Sequence, residues 1–170
     1  KNMGKGYALK VGVKKSSLNW ILTTDIDLSV PLSQIFVWEK NNNLKFNKVV
    51  FGSRNHKKSK VNKNFFRFLL GKIFNFLVIN ILKIRLLDTQ CGFKLYKKSI
   101  AKKIFTKLTN YGFSHDLELA LILIEKKIKI IEFPVKWVHK KGSKINIFFE
   151  PIKMFLNILF LKLKYFLKKI

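Results

Sequence analysis

Ile21-Leu22-Thr23-Thr24-Asp25-Ile26-Asp27-Leu28-Ser29 is the stretch whose reading decides the class of fold. It runs apolar, then small and polar, then sets two carboxylates one residue apart before Pro31 interrupts the pattern. A short apolar run ending in Asp-x-Asp reads as a buried strand that stops at the mouth of a sheet. In open α/β sheets, ligands sit at such strand ends. Alternate residues of an extended chain point the same way, so Asp25 and Asp27 can converge on one object. Two hard oxygen donors with positions left open suit a divalent ion also held by substrate phosphates, Mg²⁺ or Mn²⁺. The same spacing also describes an Asx turn capping a helix that starts after Pro31.

The surrounding composition gives those carboxylates weight. The 170 residues hold 35 Lys+Arg against 9 Asp+Glu, a formal net charge of +26. In so basic a chain, two acids at a strand end are poorly explained as solubilising charges. The aspartates Asp25, Asp27, Asp88 and Asp116 all lie beside apolar or glycine-containing turns. The basic excess is nearly all lysine, with Arg54, Arg67 and Arg85 the only arginines. Part of it is what an AT-rich genome would produce; the rest implies an anionic partner, nucleic acid or acidic lipid headgroups. Hydrophobic residues at 48%, 17 of them Phe, exclude a disordered chain and allow one real core. A single cysteine, Cys91, excludes an internal disulfide and a cysteine-built zinc site, and His56, His115 and His139 lack metal-ligand spacing.

Outward from the acidic stretch, helices alternate with short strands, which makes the class α/β. A basic helix is expected within residues 1–15, the strand at 18–24, a short helix after Pro31 and a second buried strand at 48–53. Residues 54–64 read as a basic loop. Residues 65–87 form an apolar run close to the roughly 20 residues of a membrane span. Arg67 and Lys72 inside it would be costly at mid-bilayer, so a helix or helical pair in the membrane interface, or one packed on the domain, is expected. A turn and strand over 87–96, a helix over 97–108, a helix capped by Ser114, and strands at 128–132 and 135–138 follow. Residues 151–170 mix lysines with Phe155, Ile158, Leu159, Leu161 and Leu163, a basic amphipathic helix of the membrane-surface type.

Several motifs in this order resemble one family: Asn2-x-Gly4-Lys5-Gly6, Asp25-Ile26-Asp27, Phe51-Gly52-Ser53-Arg54, Asp88-Thr89-Gln90-Cys91-Gly92-Phe93-Lys94-Leu95, Phe113-x-x-Asp116-x-Glu118 and Gly142-Ser143-Lys144. Together they are similar to the family 2 glycosyltransferases, and within them to the dolichyl-phosphate β-glucosyltransferases and polyprenyl-phosphate mannose synthases. The run from Asp88 to Leu95 is the most specific piece. The resemblance lacks the family's opening strand and its Pro-x-Tyr-Asn-Glu segment, so an N-terminally truncated GT-A (Rossmann-like) fold is expected, inactive as residues 1–170 alone. Residues 1–146 would be the partial catalytic domain and 147–170 the membrane-interface helix.

The resemblance implies an inverting hexose transfer from a nucleotide sugar, UDP-glucose first and GDP-mannose as the alternative, to a polyprenyl or dolichyl phosphate. The implied setting is the cytoplasmic face of a membrane, bacterial inner or endoplasmic reticulum. Carried over, Asp25 and Asp27 hold Mg²⁺ or Mn²⁺ on the donor diphosphate, with Asp27, Asp88 and Asp116 counted as catalytic. Arg54 and Arg67 clamp the acceptor phosphate, and Lys5, Gln90, Ser143 and Lys144 contact the nucleotide sugar. Ser29 stands where mannose synthases often carry Gln, and His139 where many relatives carry Arg. The chemistry favours those arginines independently. A polyprenyl phosphate is already an anion and needs aim and charge neutralisation, which a guanidinium fork supplies better than an ammonium. A nucleic-acid-binding module would account for the charge, but its aromatics would interleave with basic residues on a polar face. Here they lie in apolar runs.

Overall fold

In the computed structural model, which describes residues 1–41, 44, 48–62, 65–112, 114–138 and 149–166, the order is α1 (Lys5–Lys15), β1 (Trp20–Thr23), α2 (Gln34–Lys40), β2 (Val49–Ser53), β3 (Lys60–Asn62), α3 (Phe65–Leu82), β4 (Lys94–Lys97), α4 (Lys98–Lys107), α5 (His115–Glu125), β5 (Ile131–Pro134), β6 (Lys136–Val138) and α6 (Phe149–Phe166). The expected alternation of helices and strands is present. Within the stretch expected to be a plain basic loop, Lys60–Asn62 instead pairs in parallel with Lys136–Val138 as a small second sheet. The apolar run at 65–82 is one helix rather than a pair. It stops where Lys83 takes a left-handed backbone, φ 57°, a turn the sequence does not advertise with a glycine.

The main sheet has the order β1-β4-β2-β5, with β4 antiparallel to both neighbours and β2 parallel to β5. β2 is buried along its whole length, as a central strand covered on both faces must be. Its alternating side chains feed two cores. Val49 and Phe51 join Ile21, Tyr96, Ile104, Leu117 and Leu121 beneath the helices, while Val50 joins Phe93, Leu95, Phe133, Val135 and Trp38 on the other face. Trp38 is fixed there by its indole N–H, which donates to the Pro134 carbonyl at 2.8 Å, and by edge-on contacts with Phe93 and Phe133.

α6 carries Pro151 in its first turn, where a missing N–H costs nothing. It buries Ile158 and Leu161 in the larger core and packs on α3 and α5. Its other side leaves Ile152, Leu156, Phe160 and Leu163 more than half exposed, as Phe76 and Ile73 are on α3. Among the described residues, no helix is long and apolar enough to cross a membrane. The boundary expected at 146/147 lies outside the described residues.

Candidate functional site

The antiparallel placement of β4 builds the site. β1 and β2 run toward one edge and end at Thr23 and Ser53; β4 starts at that edge, so the turn before it, residues 88–93, lies among their ends. The Thr23 hydroxyl donates to the Gly92 carbonyl at 3.2 Å, tying the end of β1 to that turn. Asp25 and Asp27 come after the strand has stopped, so the strand alternation expected to aim both carboxylates one way does not operate. A tight turn holds them, with the Leu28 N–H donating to the Asp25 carbonyl at 3.1 Å and Leu28 at φ 50°.

The two acids are held differently. Asp27 receives the Ser29 N–H and hydroxyl, each at 2.9 Å, which is the Asx-turn geometry the sequence also allowed. Asp25 is ion-paired to Lys5, the first residue of α1, and its carboxylate lies flat against Gly92. A Cβ at position 92 would fall 2.5–2.6 Å from three carboxylate atoms, so only glycine admits Asp25 there. Among the described residues, no group of three or more His, Cys, Asp and Glu could hold a metal ion. Two carboxylates that each keep unused lone pairs fit a hard divalent ion only when a substrate supplies further oxygens, as a diphosphate does.

At the same edge, Arg54 follows β2 and meets Asp88 as a fork: Nε to Oδ2 at 2.7 Å and Nη2 to Oδ1 at 2.9 Å, with the Arg54 backbone N–H also on Oδ2 at 2.9 Å. The Gln90 N–H donates to Oδ1 at 3.0 Å. Burial pushes the Asp88 carboxyl up, but the Arg54 guanidinium outweighs it and holds it below the ordinary range. Two of the five guanidinium N–H groups are on Asp88.

Beneath the edge, Lys94 and Asp116 form a fully buried ion pair; Lys94 also donates to the Thr89 carbonyl at 3.0 Å. Burial raises the Asp116 carboxyl, and Lys94 more than reverses that, leaving it below its usual value. His115 lies 3.4 Å from Asp116 and is held down mainly by burial, so it is neutral at pH 7. Burial also lowers Lys5, but Asp116 and Asp25 together carry it above the ordinary lysine value.

The structure therefore brings Lys5 to Asp25, and Arg54 to Asp88 and Gln90, at one sheet edge, with Asp116 below. Gln90 reaches this group through its backbone N–H. The Arg67 residue belongs to α3, and its side chain, like all of Ser143, Lys144 and His139, lies outside the described residues. The Val138 N–H donates to the Ser29 carbonyl at 2.9 Å, so the chain leaves β6 beside the acidic turn. Ser114 precedes α5 as expected, but its hydroxyl makes no cap hydrogen bond. Two groups escaped the sequence reading. Lys94 is a charge at an inward position of an apolar strand, a visible signal. Glu132, on β5, accepts the Leu87 and Asp88 N–H groups at 2.8 and 2.9 Å and so shapes the turn carrying Asp88; nothing local in Ile131-Glu132-Phe133 marks it.

Comparison with known proteins fits this architecture. No family model matches the chain. It is 35% identical to human dolichyl-phosphate beta-glucosyltransferase over 97% of its own length and 53% of that protein. It is 31% identical to the Saccharomyces cerevisiae enzyme of the same name, covering 98% of the chain and 54% of the enzyme. The chain thus spans about half the length of the curated relatives it matches. Among solved structures, Mycobacterium tuberculosis glucosyl-3-phosphoglycerate synthase in complex with uridine diphosphate superposes with a TM-score of 0.66 over 96% of the chain and 55% of that structure, at 13% identity. The same synthase with Mn²⁺, uridine diphosphate and glucosyl-3-phosphoglycerate gives 0.63 over 95% of the chain and 55% of that structure, at 12% identity. Over nearly its whole length, then, the chain is a homologue of the dolichyl-phosphate beta-glucosyltransferases, on a GT-A glycosyltransferase fold.

Proposed function

We propose that the chain carries the transfer site of an enzyme that moves glucose from a uridine-diphosphate sugar to dolichyl or a related polyprenyl phosphate, with inversion, at the cytoplasmic face of a membrane. The observation that carries the reading is that the Arg54–Asp88 fork, after β2, and the Lys5–Asp25 pair, after β1, share one edge of the sheet. One side suits a diphosphate and the other a phosphate monoester. Support for the sugar and the lipid comes from the names of the relatives, and support for a metal from the Mn²⁺ in a structural neighbour.

In this reading Asp25 and Asp27 hold Mg²⁺ or Mn²⁺ together with the donor diphosphate, and the ion would neutralise charge on the leaving nucleotide. Lys5 adds a second cation on the same side. Arg54 takes one oxygen edge of the acceptor phosphate and aims another oxygen at the anomeric carbon from the face opposite the nucleotide. A bond forms between that oxygen and the anomeric carbon as the bond to the diphosphate breaks, which inverts the centre. The acceptor arrives as an anion, so no proton need be removed. Asp88, with both oxygens already occupied and its carboxyl held acidic, serves to lock the guanidinium rather than to act as base. Asp116 pairs with Lys94 and helps to hold Lys5 charged beneath the site, and the exposed apolar residues of α3 and α6, with lysines beside them, suit an anionic membrane surface.

The test is steady-state kinetics of the whole protein with both substrates varied. Asp25→Asn should lower turnover by orders of magnitude and abolish Mn²⁺ dependence. Arg54→Lys should raise KM for polyprenyl phosphate far more than for the nucleotide sugar. Equal effects on both substrates would move Arg54 to the donor side, and activity unaffected by EDTA would remove the metal.

A further inference from the structure

The strongest feature outside the transfer site is the surrounding of Glu118. This carboxylate is fully buried in α5 and accepts five hydrogen bonds. Oε2 takes the backbone N–H groups of Thr109 and Asn110 at 2.9 and 2.6 Å. Oε1 takes the Thr109 hydroxyl at 2.8 Å and, from α6, Lys164 at 2.5 Å and the Tyr165 hydroxyl at 3.1 Å. A second strut runs alongside, from the Asn110 amide to Asn157 of α6 at 3.0 Å. Burial drives the Glu118 carboxyl up, and its hydrogen bonds from Lys164 and from the 109–110 amides bring it below its ordinary value, so it is an anion.

The loop so fixed is the one on which the start of α1 rests. The Gly6 N–H donates to the Tyr111 carbonyl at 2.9 Å. A Cβ on Gly6 would stand 2.9 Å from Asn110 O and Tyr111 Cα, and one on Gly4, which has φ +91°, only 2.5 Å from Tyr111 O. The two glycines press the backbone on either side of Lys5 against residues 110–111, and Tyr7 stacks edge-on with Tyr111 at 5.3 Å. Lys5, seated in this way, reaches Asp25.

We infer that α6 is part of the donor-side scaffold as well as a surface helix. Through Glu118, its Lys164 and Tyr165 fix the 109–111 loop, that loop seats residues 4–6, and the seat holds the Lys5 ammonium at the diphosphate side of the site. Glu118 is a positioning residue in this scheme and touches no substrate. Removing the Lys164 charge strands a buried carboxylate, which then takes up a proton and grips the 109–110 amides less firmly, or lets the loop move toward water; either loosens residues 109–111. The inference rests on the reading of Lys5 as a donor-side group.

A double-mutant cycle tests it, run on the whole protein in detergent so that attachment to a membrane plays no part. Uridine diphosphate with Mn²⁺ is titrated calorimetrically against the parent, Lys5→Met, Lys164→Met, the double variant and Lys164→Arg. Lys5→Met should weaken binding about tenfold and Lys164→Met several-fold. The double variant should be no weaker than Lys5→Met within about twofold, because both changes remove the same contact, and Lys164→Arg should restore the parent affinity. If Lys164→Met does not fold, Tyr165→Phe combined with Asn157→Ala takes its place in the cycle. Unchanged affinity on loosening α6, or effects that multiply with Lys5→Met, overturn the coupling while leaving the donor site intact. An unchanged affinity in Lys5→Met alone overturns the donor reading of Lys5 itself, and the coupling with it.

Discussion

Gly92→Ala isolates the contact that shapes the acidic side of the site. The new methyl would sit 2.5 Å from Asp25 Oδ2 and 2.6 Å from its Cγ and Oδ1. To reach the edge of ordinary contact at 3.4 Å, the carboxylate must retreat by about 0.9 Å, and its ion pair with Lys5 must open or follow. A misplacement of about 1 Å in a positioning group costs on the order of 100-fold in rate, about 2.7 kcal/mol of barrier. The backbone at 92 is not left-handed, so alanine itself adds no strain there, and stability should change by less than about 1 kcal/mol. The assay is glucose transfer by the whole protein with Mn²⁺ titrated, set beside a urea melt. We expect kcat/KM down about 100-fold, a higher Mn²⁺ requirement and a nearly unchanged urea midpoint. Gly12→Ala is the control. That helical position has nothing within 4 Å of an added Cβ, so transfer should be unchanged and stability should rise by about 0.5–1 kcal/mol. Transfer within threefold of the parent in Gly92→Ala would refute the role given to Asp25.

Four further outcomes are expected. Asp88→Asn breaks the fork and leaves a mostly buried guanidinium with one neutral partner; with the Arg54 side chain still 27% exposed, about 2–3 kcal/mol should be lost in urea, below the full cost of a buried pair, and an unmoved midpoint would contradict the geometry. Acid should unfold the protein through Asp88 and Asp116, whose folded carboxyls are held low: the stability they bring is present above the ordinary carboxylate pKa of about 4 and is lost as pH falls through their folded values. Glu132 has the opposite sign, since burial raises its carboxyl; the parent should lose stability as pH climbs through that raised value, while thermal melts of Glu132→Gln should not show this loss, and parallel pH curves would contradict the assignment. Phe160→Ser with Leu163→Ser removes two exposed apolar side chains from α6 and should release the protein from acidic liposomes without changing its melting temperature; unchanged pelleting would take α6 off the membrane.

Local pattern was enough to locate most elements. The apolar runs at 18–24 and 48–53, the lysine-spiced amphipathic pattern after Pro151, and the turn before Gly92-Phe93 each carry their own periodicity, and each became the strand, helix or turn expected. The ends were less legible. α3 and α5 are both followed by a lysine with positive φ, Lys83 and Lys127, where pattern alone looks for glycine. The short parallel pair Lys60–Asn62 and Lys136–Val138 was invisible for another reason: neither segment has enough apolar alternation to declare itself, and each is a strand only because the other lies beside it.

What the sequence determined by itself is therefore the chemistry on offer: an acidic turn after a strand, two scarce arginines near a basic loop, and a specific run from Asp88 to Leu95. What only the tertiary structure decided is who meets whom. Arg54 and Asp88 are 34 residues apart and Lys5 and Asp25 20 apart, and the antiparallel insertion of β4 between β1 and β2 makes them neighbours at one edge. Asp25 and Asp27 look alike in sequence, yet one carboxylate is turned to Lys5 and Gly92 and the other to its own Ser29. Glu118 reads as a helix-opening acid that favours the dipole, and becomes a fully buried joint only because α6 returns to it with Lys164 and Tyr165. The physical reason is the same each time: charge and burial are set by the partners that folding brings, and no local pattern in the sequence records a partner 30 or 40 residues away.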